Sequence, residues 1–203
     1  GEGETLKTVS KQVGEAPTHI DVDGIKRPTT DSTGAPIHTT EEGVKNFWKS
    51  FGDTKVVDEE GRPIKMYTGT SKDVDFTKFK APKNGVWFTP DAEGASQYAV
   101  DNDSMGYTQE GWKFIPKNRA SRVMPTYLNL KNPKYYDTMV DAIGQVSNYK
   151  KAQGILFDKL KTEGYDGVVF GKGERAVYVA FDPKQIKSAI GNKGAFDTTK
   201  ADI

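Results

Sequence analysis

Regular hydrophobic patterning begins only after residue 38. Residues 1–38 are dominated by Gly, Thr, Pro, Ser, Asp and Lys, and their apolar residues keep neither a helical nor a strand period. Such a segment buries too little apolar surface to offset the entropy that it loses on ordering. The pattern predicts a flexible tail or a linker within a larger polypeptide, with His19 and His38 as solvated linker residues.

The first periodic segment follows this polar stretch. Four apolar residues share one helical face at spacing i, i+3, i+4 and i+7: Val44, Phe47, Trp48 and Phe51. Thr39 and Glu42 have the spacing of a capping box, and Gly52 is a typical helix terminator. A helix is therefore predicted between Thr39 and Gly52.

The rest of the chain predicts about six short strands and three further helices. The strands are predicted at 55–57, 64–67, 85–89, 123–130, 166–170 and 176–181, and the helices at 91–100, 139–146 and 155–163. Residues 101–121 are polar and predict a long loop. Because strands and helices do not alternate as βαβ units, the predicted fold class is α+β, with one domain over 39–197 and a C-terminal tail over 198–203.

Charge and composition exclude several classes of function. The net charge is +1, with 29 basic and 28 acidic residues interspersed, so nucleic-acid binding has little support. No apolar run approaches the ~18 residues of a membrane span, and no membrane partner is expected. The chain has no cysteine, and both histidines precede Thr39. The main domain therefore cannot hold a Ser-His-Asp triad, a Cys-His pair or a His-ligated metal, and we expect no metal.

Three segments together resemble a known family. They read WKSFGDTKVVDEEGRPIKMYTGT over 48–70, GVWFTPDAEGASQYA over 85–99, and GYDGVVFGKGERAVYVAFDPKQIKSAIGNKGAFD over 164–197. In this order they resemble the ADP-ribosyltransferase domains in polyvalent proteins of bacteriophages and mobile elements, and more distantly diphtheria toxin and the poly(ADP-ribose) polymerases. The resemblance implies a split β-sheet cleft flanked by short helices, with NAD bound as substrate.

The first motif of the resemblance ends in four residues assigned to NAD binding: Tyr67, Thr68, Gly69 and Thr70. The family has a His-Gly-Ser/Thr run here, in which His bonds the ribose and the Gly backbone holds the nicotinamide amide. The resemblance implies that Gly69 presents bare backbone and Thr70 a hydroxyl, whereas Thr68 replaces the imidazole. Without the resemblance, the same run would indicate a strand followed by a tight turn.

The second motif contributes aromatic candidates for the NAD site. Trp87 stands where the family has an aromatic that stacks on nicotinamide, Phe88 adjoins it, and Tyr98 matches a second aromatic that lines the site. Strand alternation places Val86 and Phe88 on one face and Trp87 on the other. Trp87 and Tyr98 are equally consistent with ordinary core aromatics.

The third motif supplies the candidate catalytic residue. Many family members have a glutamate just before the tyrosine of the closing strand, where this chain has Val177 before Tyr178. The nearest carboxylate is Glu174, which would have to be folded back over the cleft by the turn at Gly171–Gly173. The alternative interpretation is that Glu174 is a solvated turn residue.

Two functional hypotheses follow from the resemblance. The first is a toxin-like, NAD-dependent ADP-ribosyltransferase that modifies a host protein in the cytoplasm of a bacterial host, with delivery from a virion as one route. The second is a catalytically degenerate module with the same fold, which binds a ligand or serves a structural role in a virion. The departures at Thr68 and Val177 favour the second, and the retained Gly69, Thr70 and aromatics favour the first.

Overall fold

The computed structural model describes residues 16–70, 85–98, 105–108, 111–114 and 122–201. These ranges contain eleven strands and four α-helices: β1 His19–Val22, β2 Ile25–Pro28, α1 Glu41–Phe51, β3 Met66–Thr70, β4 Val86–Phe88, α2 Ala92–Tyr98, β5 Met105–Thr108, β6 Gly111–Phe114, β7 Arg122–Leu128, β8 Pro133–Tyr136, α3 Met139–Ile143, α4 Tyr149–Thr162, β9 Gly167–Phe170, β10 Val177–Ala180 and β11 Ile186–Ser188. The α+β class is confirmed.

Two small sheets form the centre of the molecule. One has the strand order β4-β10-β9-β8, in which only β8 and β9 run parallel, and the other has the order β11-β7-β3. Among the described residues they are joined by one bridge, in which Tyr67 N donates to Thr89 O at 2.8 Å and Thr89 N donates to Tyr67 O at 3.0 Å. This arrangement is the split sheet that the resemblance implied.

Helix α1 confirms the first periodic segment of the sequence. Its stripe is buried, with Val44, Phe47, Trp48 and Phe51 each no more than 3% exposed. The N-cap is Thr40, whose hydroxyl accepts from Gly43 N at 3.1 Å. The predicted start at Thr39 was one residue early.

The described side chains pack in three hydrophobic cores. The α1 core comprises Ile20, Val22, Ile37, Val44, Phe47, Trp48, Phe51, Tyr127 and Phe196. The central core comprises Val56, Met66, Val86, Phe88, Leu128, Leu130, Ala180 and Ile186. The α4 core comprises Phe157, Leu160, Val168, Phe170 and Val179.

The prediction of a flexible tail through residue 38 is wrong for residues 16–38. β1 and β2 form an antiparallel hairpin, and Ile20, Val22 and Ile37 are buried in the α1 core. Each of these apolar residues packs against residues that are distant in the sequence, although the segment has too few apolar residues to form a core of its own. The prediction failed because hydrophobic periodicity identifies an element with one continuous buried face. It does not identify single apolar residues that are buried against a distant element.

His38 is likewise not a solvated linker residue. Its Nδ1 lies 2.9 Å from Thr40 Oγ1, its Nε2 lies 3.3 Å from Asn192 O, and its ring meets the edge of Phe196. His38 therefore joins the start of α1 to the C-terminal segment. His19 is exposed, as expected.

Four other strands of the described chain, β5, β6, β8 and β11, were not predicted. The predicted loop at 101–121 contains the antiparallel hairpin of β5 and β6, while residues 101–104, 109–110 and 115–121 lie outside the described ranges. β8 and β11 are short strands at the outer edges of the two sheets. Both were missed because three or four residues carry too little periodicity to identify a strand.

Candidate cleft between the two sheets

A cavity of about 320 Å³ lies where β3 meets β4. Its described lining consists of Tyr67, Thr68, Gly69, Gly85, Val86, Trp87, Phe88, Thr89, Ala95 and Val177. The structure therefore brings together five of the seven residues that the sequence assigned to NAD binding. Thr70 and Tyr98 end β3 and α2, and their side chains lie outside the described part of the structure.

Strand β3 carries the first motif along one wall of the cavity. Thr68 pairs with Met124 of β7 and is 9% exposed, so its backbone is held between β7 on one side and the cavity on the other. Gly69 follows without a side chain, and bare backbone of this kind can approach a ligand closely. This wall therefore presents the phenol of Tyr67, the hydroxyl of Thr68 and the peptide groups of Gly69, and none of these groups carries a formal charge.

Strand β4 forms the facing wall, and its side chains alternate as predicted. Val86 and Phe88 enter the central core at 9% and 2% exposure, whereas Trp87 points to the other face. The Trp87 ring is stacked on Phe170 at 6.1 Å between centroids and tilted against Phe157 at 6.0 Å. Trp87 is therefore a core aromatic and a cavity-lining residue at once, and the two interpretations of it are compatible.

Gly85 and Ala95 are two of the lining residues that the sequence analysis did not assign to the site. Gly85 has φ of +73°, and a Cβ there would lie 2.6 Å from Val179 Cγ1. Ala95 of α2 is 1% exposed and closes the cavity from behind. Asp91 caps the N-terminus of α2, as predicted, because its carboxylate accepts hydrogen bonds from Glu93 N and Gly94 N at 3.0 Å. Small residues at both positions are the signal that could have identified them.

Val177 is the residue at which the resemblance implies a carboxylate in many family members. It lies at the start of β10 opposite Phe170, and its side chain borders the cavity. Glu174 is exposed in a 3₁₀ turn over Gly173–Arg175 and is not among the lining residues described. The described lining therefore contains no carboxylate, and a catalytic role for Glu174 stays a prediction.

The described residues contain neither a metal-binding cluster nor a candidate membrane span. No group of three or more His, Cys, Asp or Glu side chains among them could hold a metal ion. None of the helices described is long and apolar enough to cross a membrane.

Comparison with protein families bears on the identity of this cleft. The family model described as ADP-ribosyltransferase in polyvalent proteins matches residues 58–196, which is more than half of the chain and includes every described cavity-lining residue. Comparison with curated proteins and with solved structures finds no match. On the strength of the family match, the chain belongs to the ADP-ribosyltransferases in polyvalent proteins.

Proposed function

We propose that this domain binds NAD with its nicotinamide end between β3 and β4 and transfers ADP-ribose to a host macromolecule. The supporting observation is the convergence of the motif residues on one cavity of about 320 Å³. Ligand pockets usually measure ~300–1,000 Å³, so this volume suits nicotinamide and part of its ribose. The rest of the dinucleotide would extend out of the cavity.

The lining offers a rationale for holding the nicotinamide ring. In NAD this ring carries a positive charge, and aromatic faces attract cations by ~0.5–2 kcal/mol. Trp87 presents a large aromatic surface to the cavity, and Gly69 presents peptide groups that can bond the carboxamide. The binding energy expected of this wall comes from stacking and backbone hydrogen bonds, and not from an ion pair.

Transfer requires the bond between the ribose C1′ and the nicotinamide nitrogen to break. The bonding electrons leave with nicotinamide, positive charge develops on the ribose, and an acceptor group then bonds C1′ and gives up its proton. A nearby carboxylate stabilises such a cation, as it does in glycosidases. We assign this role to Glu174, which requires the turn at Gly171–Arg175 to close over the cleft.

A second candidate function is NAD binding without turnover. The observation in its favour is Val177, whose aliphatic side chain stands in the cavity where a carboxylate would be needed. Under this alternative the cleft holds a ligand, and the domain serves as a binding module in a phage particle or a larger polypeptide.

The two functions differ in one measurable reaction, the release of nicotinamide. The purified chain is incubated with NAD labelled in the adenylate moiety together with a bacterial lysate, and nicotinamide release and label transfer are both followed. We expect release and transfer by the wild type, and a loss of ~100-fold or more in Glu174→Gln, the range seen when one stabilising group is removed from an active site. Glu163→Gln changes an exposed carboxylate near the end of α4 and serves as the matched control.

Val177→Glu decides between the alternatives if the wild type is inactive. Nicotinamide release by Val177→Glu but not by the wild type would establish the non-catalytic module. Failure of both proteins to bind NAD in calorimetry would overturn both candidate functions.

The name of the family supports the setting in a polyvalent protein. We propose further that the domain acts, toxin-like, on a host protein in the bacterial cytoplasm.

A further inference from the structure

A second concavity of about 500 Å³ is lined by residues of β8, β9 and β10 and of the turn that follows β9. Val177 and Tyr178 are consecutive in β10, and successive strand side chains point to opposite faces. Val177 borders the cleft, whereas Tyr178 borders this concavity. The described lining consists of Tyr135, Tyr136, Asp137, Val169, Gly171, Lys172, Gly173 and Tyr178.

Two tyrosines form the sides of the concavity. Tyr135 of β8 lies directly opposite Val169 of β9, which lies directly opposite Tyr178 of β10. Neighbouring strands are ~4.8 Å apart, so the two tyrosine backbones flank Val169 at ~10 Å from each other. Val169 is 3% exposed and forms the floor, while Tyr135 is 58% exposed. The result is an open slot between two phenol side chains, which we call the tyrosine slot.

The phenols of the tyrosine slot are uncharged at physiological pH. Burial raises the pKa of Tyr178, and the nearby Tyr135 adds to this rise. Burial also raises the pKa of Tyr135, with a further contribution from the charge of Asp166. Both phenols therefore keep their protons and their electron-rich ring faces.

One carboxylate lies at the rim of the slot. Asp137 Oδ1 is 3.9 Å from Lys172 Nζ, and both side chains are more than 80% exposed. An ion pair of this length and exposure is weak, so Asp137 can exchange Lys172 for another cation. The turn on the same side contains Gly171 and Gly173, both with positive φ, and presents no side chain at these two positions.

We propose that the tyrosine slot binds the guanidinium group of an arginine side chain on a partner protein. Aromatic faces attract cations, and a guanidinium is flat enough to stack on Tyr135 or Tyr178. Its edge carries paired donors that match the two oxygens of Asp137. A lysine ammonium is more strongly hydrated and cannot stack in this way.

The probe for this site is N-acetyl-arginine amide, titrated into the uniformly ¹⁵N-labelled full chain and followed by amide chemical shifts. We expect saturable shifts at Tyr135, Val169 and Gly171, with an affinity in the millimolar range, because a single side chain buries little surface. Tyr135→Ala and Asp137→Asn are each expected to weaken binding at least about fivefold. Tyr149→Ala removes an exposed tyrosine of α4 that is not part of the slot, and is expected to leave binding unchanged.

N-acetyl-citrulline amide tests the importance of charge, because it is flat and similar in shape but neutral. Equal binding of the citrulline and arginine probes would overturn the proposal, as would arginine binding that Tyr135→Ala leaves intact. Absence of any saturable shift up to roughly 50 mM arginine probe would overturn it as well. Both substituted residues are exposed, and the unchanged spectrum of each variant away from the slot confirms that the fold is retained.

Discussion

Asp31 is the clearest example of a residue whose role lies outside any local pattern. Its carboxylate is fully buried and accepts from Lys65 Nζ and Tyr127 Oη at 2.8 Å each. Thr33 completes the shell, donating to the other carboxylate oxygen from its backbone N at 2.9 Å and from its hydroxyl at 2.6 Å. These contacts fasten the N-terminal segment to β7 and to the residue that precedes β3, which carries the cleft motif.

Asp31→Asn is expected to lower the free energy of unfolding by about 2–4 kcal/mol. Hydrogen bonds to a charged group contribute ~1.5–3 kcal/mol each, and the variant would leave Lys65 largely buried without its counter-ion. Urea unfolding at neutral pH measures the change. Asp53→Asn is the matched control, because Asp53 is 83% exposed and lies 3.8 Å from Lys131. A loss in Asp31→Asn no larger than in this control would contradict the assignment.

The same carboxylate makes stability depend on pH in the acid range. Burial raises the pKa of Asp31, but the hydrogen bonds from Lys65, Thr33 and Tyr127 together outweigh burial and leave the pKa below 3.8. A depressed folded-state pKa means that the stabilisation is fully present above the unfolded-state pKa and is lost as the pH falls through the folded-state value. Denaturant midpoints measured from pH 6 down to about 2 should therefore fall less steeply in Asp31→Asn than in the wild type.

At the scale of elements, the approach of β4 to β10 depends on Gly85. Its φ of +73° is unfavourable for other residues, and an added Cβ would also lie 2.6 Å from Val179 Cγ1 and 3.0 Å from Ala180 O. Gly61 has a similar φ of +76° but open space around its Cα. The two glycines therefore share the sign and size of φ, and Gly85 alone of the two is in close contact with β10.

Gly85→Ala is expected to destabilise the protein by about 1–3 kcal/mol more than Gly61→Ala does. The left-handed conformation costs ~1–2 kcal/mol in both variants, and forcing a methyl group into a packed contact adds the remainder in Gly85→Ala. Thermal and urea unfolding of the two variants measure the difference. Equal losses would mean that the contact between β4 and β10 relaxes at no cost.

Elements with their own periodicity were the ones that the sequence could predict. The stripe of α1 and the alternation of Val86, Trp87 and Phe88 are local signals, and both are confirmed. β11 could not be found in this way, because Ile186, Lys187 and Ser188 are all buried and show no alternation. Its position is fixed by pairing with β7, which lies some sixty residues away in the sequence.

The cleft was predictable to the extent that motifs mark it. Tyr67, Thr68 and Gly69 were found from one motif and Trp87 from another, and the bridge between Tyr67 and Thr89 brings the two motifs together. The sequence alone identifies the side chains at those positions. The sequence does not reveal that Glu174 lies outside the described lining of the cavity, because this depends on the conformation of a turn that contains two glycines with positive φ.

For the whole molecule, the main consequence is that the folded unit extends beyond the family match. The match begins at residue 58, whereas the α1 core joins Ile20, Val22 and Ile37 from the N-terminal segment to Tyr127 and Phe196 inside the matched region. Fully burying an aliphatic side chain contributes ~1.5–3 kcal/mol, and net domain stabilities are only ~5–15 kcal/mol. The N-terminal segment thus supplies a substantial share of the stability of the domain that carries the cleft.

This conclusion is tested by substitutions within the N-terminal segment itself. Ile37 is 3% exposed, and Ile37→Ala is expected to cost about 2–5 kcal/mol, because it leaves a cavity in the α1 core. Ile25 lies at the start of β2 with 54% exposure, so Ile25→Ala makes the same chemical change at a solvated site and should alter stability by no more than about 0.5 kcal/mol. A chain that starts at residue 39 removes the whole segment and should unfold at a lower temperature than either variant. If that shortened chain melts with the wild type, residues 16–38 are an appendage that does not stabilise the domain.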